Sequence, residues 1–126
     1  MAAAIITIAG KRKMLVARTG ESTLPPIVKM AFGNGGTNED GIVIEPEENQ
    51  SSLNSEIYRK DILKYEIVND TQVRYYCKLT ESELAGCKIS ELALVDSEGD
   101  IVSIKNFREK EKDGDFSFTF MVNDTM

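Results

Sequence analysis

Three carboxylates fall within five residues at Asp96, Glu98 and Asp100. Oxygen donors at alternate positions of a turn are what a calcium ion asks for. Yet the stretch Asp96-Ser97-Glu98-Gly99-Asp100 lacks the spacing of an EF-hand loop, and no glutamate stands where it would close one. It reads as the polar turn of a hairpin. A second candidate is "IVKMAFGNGG", Ile27 to Gly36, where an apolar run stops in three glycines and an asparagine. A phosphate cradle needs N–H groups converging at a helix N-terminus, with a lysine and a hydroxyl close behind. Here the acidic Thr37-Asn38-Glu39-Asp40-Gly41 follows, without GK[ST] or GxGxxG spacing. The expectation is therefore a tight turn in which Asn34 and the glycines supply positive φ angles.

Nucleophilic chemistry has still less to work with. The chain contains no histidine, which excludes Ser-His and Cys-His pairs and any His-ligated metal. Cys77 and Cys87 form no CxxC and have no zinc-ligand companions. A disulfide between them would sit poorly with the apparent lack of export. The pairs Glu47/Glu48 and Glu81/Glu83 lie in charged segments, where a solvated face is the ordinary reading and a general acid and base the special one. No catalytic group, cofactor site or metal site is expected, and an interaction module is the default.

The elements that must position these residues follow from composition and pattern. The chain has 126 residues, 41% hydrophobic and 29% charged, which fits one globular domain spanning 1–126. Its net charge of -6 argues against nucleic acid as a partner. No membrane insertion is expected either, and the apolar start lacks the basic n-region of a signal peptide, since Lys11-Arg12-Lys13 comes after it. Thr7 to Arg18 reads as a helix capped by Thr7 and stopped by Gly20. Its rough apolar side would be Met14, Leu15 and Ala17 with Ile8 and Gly10 or Lys11. The basic triplet lies on its wet face, a solvated surface or a contact for an anionic partner.

Beyond Leu24-Pro25-Pro26, strands dominate. Ile27 to Phe32 is the first, and residues 37–54 form a long polar loop of the kind that is either mobile or functional. Ile57 to Val68 reads as one strand ending at an Asx-type turn, Asn69-Asp70. Val73, Tyr75, Cys77 and Leu79 share one face of the next. Thr80 and Glu83 have the spacing of a capping box for one helical turn. Ile89–Val95 and Ile101–Phe107 flank the acidic turn, 109–114 is a charged connector, and Phe116, Phe118, Phe120 and Val122 alternate along a last strand whose aromatics face the core. The fold class is α+β and mostly β: an N-terminal helix followed by a predominantly antiparallel, sandwich-like sheet system. No internal repeat occurs. Sheet edges in so small a chain call for cover by another subunit.

Taken in order, "TIAGKRKMLVARTG", "LPPIVKMAFGNGG", "LNSEIYRKDI" and "ISELALVDSEGDIVSIKNF" resemble the N-terminal domain of phage tail-collar fibre proteins. The resemblance runs from about Ile5 to Val122. It implies a structural, non-enzymatic part of a contractile phage tail or phage-tail-like bacteriocin, made in the host cytoplasm and carried on the particle. Such a domain joins fibre to baseplate, with baseplate proteins and tail-fibre chains as partners and a homo-trimer as the state. Since the chain ends at Met126, just beyond the last strand, it would be either the attachment domain of a longer fibre or a short adaptor for another fibre chain. The implied interface residues are Lys11, Arg12 and Lys13 on the helix and Gly33, Asn34, Gly35 and Gly36 at the turn, where glycines let backbone approach backbone. The alternative is a receptor- or glycan-binding module read by the 37–54 loop. Carbohydrate sites favour exposed aromatic platforms, and this chain has no Trp and 7% aromatics.

Overall fold

Thr7 begins the helix as its residue type predicts. Its backbone is extended and its Oγ1 accepts a hydrogen bond from the Gly10 N–H at 3.1 Å, so α1 runs Ile8–Thr19 and ends where Gly20 takes φ +85°. The computed structural model describes residues 4–126. A two-residue strand, β1 (Ile5–Ile6), precedes the helix and was not legible in the pattern. The remaining strands are β2 (Ile27–Gly33), β3 (Glu56–Asp61), β4 (Lys64–Asn69), β5 (Gln72–Leu79), β6 (Lys88–Asp96), β7 (Ile101–Glu111) and β8 (Phe118–Thr125). They form two antiparallel sheets, a five-stranded one ordered β1-β7-β6-β2-β3 and a three-stranded one ordered β4-β5-β8. The mostly-β α+β class holds.

The expected single strand over Ile57–Val68 is two strands in different sheets. Ile62 N–H donates to the Val28 carbonyl of the first sheet at 2.9 Å, and Leu63 N–H to the Tyr76 carbonyl of the second at 2.7 Å. The chain thus changes sheet between adjacent residues, which leaves the strand pattern unbroken in sequence while the pairing partner switches. Asn69 then makes its expected turn, its Oδ1 accepting from Thr71 N–H at 2.9 Å.

Two apolar clusters hold the layers together. Between the sheets lie Met30 and Phe32 of β2, Leu92 and Leu94 of β6, Cys77 and Leu79 of β5, and Val122 of β8. The opposite face of the large sheet buries Ala31, Ala93, Val95, Ile101 and Ile104 with Leu53 from the long loop. Both faces of β6 are therefore buried, at a rough 1.5–3 kcal/mol per large apolar side chain removed from water. Cys77 sits in the core as expected, and burial pushes its thiol pKa up to about 11. Neither cysteine is in a disulfide.

Several expectations need correction. Leu15 and Ile8 are exposed on α1, whose one buried residue is Gly10, set against Val102 of β7 where a Cβ would come within 2.8 Å of the carbonyl. Of the expected apolar side, Gly10 is the residue that is buried, and the large side chains of Ile8 and Leu15 are not. Phe116 is exposed because β8 starts only at Phe118. The charged connector contains a fully buried lysine, Lys112, whose ammonium donates to the carbonyls of Glu81 and Asp113 at 3.0 and 3.1 Å and lies over the Phe118 ring.

Candidate interaction surface

The glycine-rich segment does not use positive φ. Gly33, Asn34, Gly35 and Gly36 all have ordinary negative-side backbone; the left-handed glycines are Gly20, Gly41, Gly86 and Gly99. What demands glycine is close approach. Gly33 pairs with Glu91 across β2 and β6. A Cβ on Gly36 would overlap the Ser90 carbonyl, one on Gly33 the Glu91 carboxylate, and one on Gly35 would come within 2.7 Å of Asn54 Cβ. Ser90 Oγ accepts from Gly36 N–H at 2.8 Å. The fully buried Glu91 carboxylate accepts three backbone N–H bonds, from Gly35 at 2.9 Å, Asn54 at 2.9 Å and Ser55 at 2.8 Å. N–H groups therefore do converge on an anion as in a phosphate cradle, but the anion belongs to the protein. Glu91 sits beside Ser90 in a strand that is apolar over Leu92–Val95, and alternation alone does not mark it as a hub.

Glu91 ties both ends of the 37–54 loop to β6, and further bonds hold its middle. Ile44 N–H donates to the Gly36 carbonyl at 2.9 Å, Asn106 Nδ2 donates to the Ile44 carbonyl at 2.7 Å, and Thr37 bridges Val43. The helix start joins in: Ile8 N–H donates to the Glu48 carbonyl at 2.7 Å, and Lys11 pairs with the Glu48 carboxylate. The loop is thus an arch pinned at five or so points along its course, a structure that sequence polarity could not show. At its crest Ile42 and Ile44, 61% and 40% exposed, stand among Glu39, Asp40, Glu45 and Glu47.

The basic triplet splits into three roles. Lys11 holds the arch. Arg12 is exposed and makes no ion pair among the described residues. Lys13 reaches the acidic turn between β6 and β7, 2.6 Å from Asp96, 2.9 Å from Glu98 and 2.7 Å from Asp100. The carboxylates that looked like calcium ligands do lie within one ion's reach, and a lysine ammonium fills the place. Burial works to lower the pKa of Lys13, but the hydrogen bonds to Asp100, Asp96 and Glu98 outweigh it and hold the pKa well above the ordinary lysine value.

Glu83 departs from the solvated reading as well. It accepts from Lys60 Nζ, from Thr80 N–H at 2.8 Å and from Tyr58 Oη, and these bonds hold its carboxyl down at about 2. The Thr80–Glu83 capping bond forms as the spacing predicts, but the segment makes turns and no helix. At Leu84, φ of +52° is the one left-handed non-glycine backbone among the described residues, and the side chain packs against the core between the sheets.

Beside the arch runs a cleft of 490 Å³ whose apolar lining is Val43 of the arch, Leu92, Phe107, Phe120 and Met121. Lys105, Arg108 and Lys110 of β7 stand round it, and none makes an ion pair among the described residues. The nearest acid on that strand, Glu109, faces Lys88 at 3.8 Å and Thr37. The cleft presents an apolar floor bordered by charge, the composition of a protein interface. No helix among the described residues is long and apolar enough to cross a membrane.

The family described as phage tail-collar fibre protein, N-terminal, matches residues 1–117. No curated protein and no solved structure matches the chain. With nearly the whole length covered, the chain belongs to the phage tail-collar fibre family. Membership gives it a structural role in a phage tail fibre, points to a non-enzymatic part, and implies association with other tail components in the virion tail.

Proposed function

We propose that this chain attaches a tail fibre to the baseplate of a contractile phage tail or tail-like bacteriocin, acting as a homo-trimer. The family match over residues 1–117 carries the reading. The pinned arch supports it, since a long loop fixed at its ends and middle loses little further entropy when a partner binds it. On this reading Arg12 and Asn34, both exposed, are free to touch a partner. Lys11, Lys13 and the three glycines act one step back, by holding the arch and the acidic turn in place. The test is co-sedimentation of the purified chain with tail particles that lack fibres. Saturable binding is expected; retention on a glycan array with no binding to tails would favour the receptor-binding alternative and overturn attachment.

A further inference from the structure

We infer that copies of this chain meet head to tail, the acidic arch of one seated in the basic apolar cleft of the next. This deepens the trimeric reading above and rests on it. The two surfaces match in chemistry. The cleft offers an apolar floor, Phe107 and Phe120, under Lys105, Arg108 and Lys110, cations without an acidic partner among the described residues of a chain whose net charge is -6. The arch offers two exposed isoleucines, Ile42 and Ile44, flanked by Glu39, Asp40 and Glu45.

The molecule cannot satisfy the match by itself. The arch already contributes Val43 to the wall of its own cleft, and its backbone is fixed by Gly36, Asn106 and Glu91. Its isoleucines therefore stay exposed while the neighbouring cations stay unpaired. A contact between two different surfaces of one chain is heterologous, and copies related by rotation close it into a ring. Ridge and cleft adjoin, which suits a contact close to the ring axis.

Light scattering of the full chain across a concentration series tests this, with three variants alongside. One reverses the cleft (Lys105→Glu, Arg108→Glu, Lys110→Glu), one the arch (Glu39→Lys, Asp40→Lys, Glu45→Lys), and the third combines all six. The expected results are a closed oligomer for the native chain, association at least about tenfold weaker for either triple variant, and recovery in the combined one, since opposed charges at an interface act in complementary pairs. Far-UV circular dichroism checks that each is folded, and raising the salt concentration provides the same weakening with no substitution. A native chain that stays monomeric, triple variants that associate normally, or a folded combined variant that does not recover would each overturn the inference. A monomer that still sediments with tails overturns this interface and the trimeric state but leaves attachment standing, whereas a ring that ignores tails overturns the attachment reading alone.

Discussion

Two places in this molecule whose residue types suggest a ligand, the glycine run at Gly33–Gly36 and the acidic turn at Asp96–Asp100, are each occupied from within, and in different ways. Glu91 is wholly buried and takes three neutral backbone donors from the two ends of a long loop. Asp96, Glu98 and Asp100 ring a charged donor, Lys13, and two of the three lie largely in water. In the buried site every lost bond strands a group without solvent to replace it. In the wet site water and salt stand ready to substitute, so the same number of bonds holds far less free energy. The first fixes an arch, and the second adjusts where a helix lies.

The sharpest way to break that contrast is at the glycines. Gly36→Val places a branched side chain on the Ser90 carbonyl, which belongs to a central strand and cannot withdraw. The expected cost is about 3 kcal/mol or more by overpacking, read as a lowered midpoint in urea unfolding. Next, Glu91→Gln keeps the shape but gives the three N–H groups one carbonyl oxygen and a competing donor. About 2 kcal/mol of destabilisation is expected from the stranded donors, concentrated in the arch.

How far the sequence reached follows from the same contrast. Thr7, Gly20 and Asn69 announce local bonds within four residues, and the structure shows those caps and that turn in place. Glu91, Leu53 and Lys112 depend on partners distant in the chain, so their burial leaves no local pattern. The sheet change at Ile62-Leu63 is invisible for that reason too. The density of glycines is plain in the sequence, but whether density means turning or crowding depends on what lies opposite, and Ser90 and Glu91 are more than fifty residues away.

Glu83 lies between the two sites in exposure. Its carboxyl pKa is held low chiefly by Lys60, then by Thr80 and Tyr58. Because the folded value lies below the ordinary one, its contribution is present above about pH 4.5 and is lost as pH falls toward about 2. An acid titration of stability is therefore expected to flatten over that window in Glu83→Gln, with about 1 kcal/mol lost at neutral pH. A titration identical to the native one would show that the cluster is not formed. The smallest effect is expected for Lys13→Met, below about 1 kcal/mol and shrinking further in high salt, because Glu98 and Asp100 are mostly solvated and the buried Asp96 keeps the N–H bonds from Glu98 and Asp100. A loss as large as that of Glu91→Gln would erase the distinction between the buried and the wet site.

The most direct measurement of that distinction, and of the pinned arch, is amide hydrogen exchange at Gly35, Gly36, Asn54 and Ser55. In the native chain these amides are expected to be protected, and Glu91→Gln is expected to release Gly35, Asn54 and Ser55 while Met30 and Leu94 in the sheet keep their protection. Exchange of Gly35, Asn54 and Ser55 at unfolded-chain rates in the native protein would contradict the account, because the loop would then be free and Glu91 would hold nothing.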